Sequence, residues 1–86
     1  MNNTIIVEGP MGCGKTRNAK RIAKHLRCRT IIEGDEWRGG EERWRKLPRP
    51  ILVLTINASE TPSFMREFAM LRSFDSLPRD VLKGAA

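Results

Sequence analysis

Thr4-Ile5-Ile6-Val7-Glu8-Gly9-Pro10-Met11-Gly12-Cys13-Gly14-Lys15-Thr16 is the stretch on which the reading of this chain turns. Its first five residues form a β-branched, apolar run suited to a buried strand. Residues 9–16 then fit G-x-x-x-x-G-K-[ST], a spacing whose backbone amides cradle phosphate groups. Gly9, Gly12 and Gly14 can take conformations closed to residues with a Cβ, so successive N–H groups can point inward. Lys15 to Arg27 follows as an amphipathic helix with Ala19, Ile22, Ala23 and Leu26 on one side. A concave set of donors at the positive end of a helix suits a polyphosphate. In this reading Pro10, Met11 and Cys13 fill the variable positions of the loop. Lys15 places a point charge on the outer phosphates, and the Thr16 hydroxyl enters the Mg²⁺ shell. The plain alternative is an ordinary strand-to-helix turn, which leaves Lys15 opposing the helix macrodipole with no anion to hold it there.

Across residues 4–27 the chain resembles the P-loop NTPase superfamily, whose Walker A motif has this pattern and this strand, loop and helix setting. The resemblance implies a nucleoside triphosphate ligand, ATP or GTP, with Mg²⁺. At 86 residues the chain is one domain spanning 1–86, near the lower limit for burying a core without staples. It is too short for the full complement of strands of that superfamily. The expectation is therefore a truncated α/β domain, a minimal three-stranded, mostly parallel sheet packed by helices. Ligand binding or self-association would supply part of its stability, and open sheet edges favour a homo-oligomer.

Further along, Arg29-Thr30-Ile31-Ile32-Glu33 reads as a second strand. Residues 38–50 are polar and arginine-rich, with Gly39-Gly40, Pro48 and Pro50, and form a loop with a helical turn over Glu41 to Lys46. Ile51-Leu52-Val53-Leu54-Thr55-Ile56-Asn57 is the strongest strand, continuously apolar and so expected at the centre of the sheet. Short crossovers allow it to sit between the first and second strands. Thr61-Pro62 offers an N-cap and a first-position proline for a helix through Phe74, with Phe64, Met65, Phe68, Ala69 and Leu71 as its buried stripe.

Asp35-Glu36, after the second strand, resembles the Walker B pair of AAA-type ATPases. That resemblance gives Asp35 the metal and Glu36 the role of general base, although Glu33-Gly34 stand between the strand and the pair, and Glu33 is a second candidate for the metal. Leu52 to Asn57, an apolar strand ending in Thr and Asn, is similar to the sensor strand of the same ATPases, whose terminal Thr or Asn reports on the γ-phosphate and orients the attacking water. The alternative for Asn57 is that it caps the turn toward Ala58-Ser59. Residues 4–57 also look like very short P-loop proteins encoded by bacteriophages, which places the chain in a host cytoplasm and attaches no activity.

Net charge is +6, and Lys15, Arg17, Lys20, Arg21, Lys24, Arg27 and Arg29 concentrate it on the first helix and its exit. This is a solvated face or a surface for nucleic acid or an acidic protein; no aromatics interleave as a single-strand stacking platform requires. Cys13 and Cys28 lack metal-ligand spacing and suit a reducing cytoplasm, with Cys28 as a small apolar group at the helix exit. The longest apolar stretch, Ile51 to Ile56, is too short to cross a bilayer, and the N-terminal apolar run is too short for a signal peptide. Trp37 and Trp44 either stack on a nucleotide base or cover the flank of a small core. Arg38, Arg43 and Arg45 are loop charges or an arginine finger.

Three functions follow. The first is Mg²⁺-dependent ATP binding with slow hydrolysis coupled to a macromolecular partner, using Lys15, Glu36 and Asn57. The second is a small-molecule or nucleotide kinase whose Glu33-Gly34-Asp35-Glu36 segment holds the acceptor hydroxyl. The third is a non-enzymatic interaction or inhibitor protein of the phage type.

Overall fold

The computed structural model describes residues 4–9 and 18–77, with Asp35 described by its backbone. In chain order the elements are β1 (Thr4–Glu8), α1 (Ala19–Leu26), β2 (Thr30–Glu33), α2 (Gly40–Arg45), β3 (Ile51–Thr55), α3 (Ser63–Arg66) and β4 (Met70–Ser73). Single turns of 3-10 helix occupy Gly34–Glu36, Ala58–Glu60 and Phe74–Ser76. The strands form one sheet in the order β2-β3-β1-β4, and every pairing is parallel.

The topology follows from the apolar runs. β3 is buried along all five residues, as a strand covered on both faces must be. Successive side chains alternate across the sheet, so Leu52 and Leu54 join Val7 on one face while Ile51 and Val53 join Ile6 on the other. The first face packs on α1 through Ile22 and Ala23 and is closed by Phe74 and Leu77. The second packs on Trp44 of α2, Met65 of α3 and Ala58. The crossover from β1 to β2 runs one way along the sheet, and those to β3 and β4 run back. Right-handed crossovers running in opposite directions put their helices on opposite faces, which is the layering these two cores record.

Two expectations need correction. The sheet has four strands, not three, and no helix runs from Thr61 to Phe74. The helix stops at Arg66, Glu67 turns extended, and Phe68 enters the left-handed region at φ 59°. Residues 70–73 then pair with β1, Ile5 opposite Met70 and Glu8 opposite Ser73. The cause is tertiary. β3 satisfies one edge of β1, and the amides and carbonyls of the other edge need a partner if β1 is to stay buried. That demand outweighs the helical spacing of the sequence, so Phe68 (79% exposed) and Leu71 (60% exposed) stand in water instead of lining a buried stripe. Met65 alone of that stripe is fully buried, with Phe64 and Ala69 packed beside it.

β2, α2 and β3 lie close to their expected bounds, but α1 begins at Ala19, with the non-helical Asn18 at its N-cap position, so the helix expected from Lys15 does not include Asn18. β3 ends at Thr55, so Asn57 lies beyond the strand. α1 ends with Arg27 in the left-handed cap position, its N–H reaching the Ala23 and Lys24 carbonyls. Cys28 is half-buried against the α1 core, and burial pushes its thiol pKa up. No described helix is long and apolar enough to cross a membrane.

Candidate phosphate site at the carboxyl edge of the sheet

In open parallel sheets ligands bind beyond the carboxyl ends of the strands, where adjacent strands send their connections in opposite directions. Here that point lies between β1 and β3. After β1 the chain crosses to β2 over one face; after β3 it crosses to β4 over the other. Register puts Glu8, Thr55 and Ser73 in one row across β1, β3 and β4 at this edge. Gly9 follows, and its N–H donates to the Thr55 carbonyl at 3.1 Å, carrying the ladder one residue past β1. That amide is therefore already engaged, and donors for an anion must come from later positions. Pro10, Met11, Gly12, Cys13, Gly14, Lys15 and Thr16 lie outside the described residues. The chain is described again from Asn18, whose carbonyl accepts from Ile22 N at 2.9 Å at the start of α1.

Glu8 was not singled out by the sequence, although a carboxylate closing an apolar strand one residue before a glycine-rich loop was a usable signal. Its Oε2 accepts from the Ala58 amide at 2.7 Å, tying the end of β1 to the turn after β3. Asn57 caps that turn. Its Oδ1 accepts from Ser59 N at 3.0 Å and from the Ser59 hydroxyl at 2.7 Å. Thr55 Oγ1 accepts from Asn57 N at 3.2 Å, and Thr61 Oγ1 donates to the Ala58 carbonyl at 2.6 Å. The capping role expected as one alternative for Asn57 is thus present. Together these bonds fix residues 55–61 against β1.

Asp35 and Glu36 reach the same edge by a different device. β2 is the outer strand, two strand spacings from β1, a lateral offset of about 9.5 Å. Gly34 reduces it. A Cβ there would meet Val53 Cγ1 at 2.9 Å, the Leu54 carbonyl oxygen at 3.3 Å and Thr61 Cγ2 at 3.3 Å. Only a residue without a side chain lets the Gly34–Glu36 turn lie over the end of β3. The two residues that interrupt the acidic pattern in the sequence therefore include the one that folds it inward. Glu36 is exposed and Glu33 half-buried. Among the described residues no three His, Cys, Asp or Glu side chains cluster in the manner of a metal site. Of the two expected Mg²⁺ ligands, Thr16 lies outside the described residues and Asp35 is located by its backbone in this turn.

Beside Glu8, on the α3 face, a groove of about 340 Å³ runs between Asn57, Ala58, Arg66 and Leu71. A second depression, about 270 Å³, lies at the opposite edge near Thr4, Trp44, Phe64 and Phe68. The tryptophans belong to packing. Trp44 is buried, meets Phe64 at 5.9 Å and Trp37 edge-on at 6.1 Å, and Trp37 Nε1 donates to the Gly40 carbonyl at 3.3 Å. Two arginine-finger candidates have local partners: Arg43 lies 6.0 Å from the Trp37 ring centre, and Arg45 pairs with Glu41. Arg38 is exposed in the segment that follows the Gly34–Glu36 turn.

Comparison with protein-family models, curated proteins and solved structures returns no match for this chain.

Proposed function

We propose that this protein is a minimal P-loop domain that binds ATP with Mg²⁺ through residues 9–16 and hydrolyses it slowly. The observation that carries this reading is the position of Gly9. It leaves the carboxyl end of a central parallel strand at the point of reversed connectivity, and α1 is the next described element of the chain. A strand that opened the loop at a sheet edge, or an antiparallel one, would give a phosphate loop no such setting.

Within the proposal each residue has a task. Amides after Gly9 surround the phosphates, and Lys15 supplies charge to the outer ones. Thr16 and Asp35 hold Mg²⁺, which when bound neutralises charge on the transferring phosphoryl group. Glu36 takes the proton of the attacking water. Asn57, with Oδ1 held by Ser59, donates from Nδ2 to phosphate oxygen. Glu8 anchors the 55–61 segment that presents it.

A second reading, phosphoryl transfer to a small hydroxyl-bearing acceptor, is supported by the groove beside Glu8. It offers a carboxylate, the Arg66 cation and an apolar wall from Leu71.

A thermal-shift titration tests the first reading. At roughly 100-fold excess over Kd, Mg-ATP adds about 2.7 kcal/mol to stability. For a domain of this size that raises Tm by more than about 10 °C. Lys15→Ala should abolish the rise, and Glu36→Gln should retain it while phosphate release stops. Release in the absence of any acceptor separates hydrolysis from the kinase reading. A flat response of folded protein to ATP and GTP, with magnesium present, would overturn both.

A further inference from the structure

We propose that the solvent face of α1 is a binding surface for the phosphate backbone of duplex nucleic acid, read without regard to base sequence. Lys20, Arg21, Lys24 and His25 are exposed on the helix, and Arg27 and Arg29 continue the face at its exit. α1 carries no acidic residue, and none of these side chains forms an ion pair among the described residues. Lys20 and Lys24 stand one turn apart, about 6 Å along the axis, with Arg21 about 100° around it. Like charges at that spacing destabilise a helix, and cations near its amino end oppose the macrodipole, unless an anion is bound.

α2 is built on the opposite principle. There Arg45 pairs with Glu41 and Lys46 approaches Glu42 at 3.8 Å, while Arg43 lies over the Trp37 ring. The sheet separates the two layers: Lys20, Arg21, Lys24 and Arg27 stand together on the α1 side with no acidic residue on their helix, while α3 on the other side carries a single basic residue, Arg66.

The chemistry of the face selects the partner. A protein interface needs an apolar or aromatic centre, and none of the exposed large apolar side chains lies on α1. An anionic membrane would be entered by an apolar helix face, but that of α1, Ile22 and Ala23, is buried in the core. Single-stranded nucleic acid is held by base stacking, and residues 18–36 contain no Phe, Tyr or Trp. What remains is contact with phosphates alone, which a duplex presents at the highest charge density.

Fluorescence anisotropy of the full chain with a labelled 20-base-pair duplex of mixed sequence is the test, at 50 to 200 mM salt without nucleotide. Four contacts, from Lys20, Arg21, Lys24 and Arg27, give a slope of log K against log salt of about −3.6, a loss of about 150-fold over that fourfold range. Lys20→Gln with Lys24→Gln should weaken binding at least tenfold and make the slope shallower by about 1.8. Lys46→Gln should change neither. Absence of duplex binding at 50 mM salt, a double variant that binds like the wild type, equal affinity for a 20-nucleotide single strand, or capture by phosphatidylserine vesicles in preference to duplex would each overturn the proposal. The wild-type slope stands as evidence even if the double variant does not fold. Because no nucleotide enters the assay, its outcome is independent of the ATP-binding proposal.

Discussion

Removing the Glu8 carboxylate should loosen the whole carboxyl edge. The Ala58 amide, on a residue only 6% exposed, donates to Glu8 Oε2 at 2.7 Å across 50 residues of sequence. Glu8→Ala leaves that donor without an acceptor, an effect of about 1–3 kcal/mol for a buried N–H. Glu8 is half-exposed, so water can replace part of the bond, and the expected loss is the lower half of that range, about 1–2 kcal/mol. In a domain of this size each kcal/mol moves Tm by about 4–8 °C, which puts the fall at about 5–15 °C. Glu8→Gln keeps an oxygen acceptor and loses only the charge assistance, about 0.5–1 kcal/mol. The order of stability should therefore be wild type, Glu8→Gln, Glu8→Ala. Urea unfolding followed by Trp37 and Trp44 fluorescence measures it, with the midpoint moving and the slope constant. Glu8→Ala indistinguishable from wild type, or less harmful than Glu8→Gln, would show that the bond does not fasten β1 to the 55–61 segment.

Other substitutions probe the remaining devices. Gly34→Ala forces a methyl group against Val53 and the Leu54 carbonyl and should destabilise by about 1–3 kcal/mol, read as a lower urea midpoint. A neutral result would mean that the Gly34–Glu36 turn does not lie against β3. Phe68→Asn replaces a residue held at φ 59° with one that tolerates that region and should raise stability by about 0.5–1 kcal/mol in differential scanning calorimetry. In a Cys13→Ser background, burial of Cys28 keeps its thiol protonated, so alkylation at pH 8 should be slower than for the denatured chain. The folded pKa of this acid lies above its unfolded value, so stability should fall as pH rises through and beyond about 9, where only the unfolded chain has released the proton.

The sequence by itself determined β1, α1 and β3, because each rests on local information. The apolar run of β1 spans Thr4–Glu8, the amphipathic spacing of α1 puts Ile22 and Ala23 in the core, and the unbroken apolar character of β3 calls for a strand covered on both faces. The Asn57 cap and the packing of Trp44 were likewise among its stated alternatives. Residues 63–73 could not be read that way. Their apolar spacing is helical, and only the open edge of β1, a partner many residues distant, makes the last four a strand. The same holds for Gly34 and Glu8. A glycine is silent until a neighbouring chain approaches where its side chain would be, and the Glu8 acceptor acquires its meaning from an amide on another strand's exit. Local pattern writes the elements, but hydrogen bonds and close contacts between segments remote in sequence decide which edge they share.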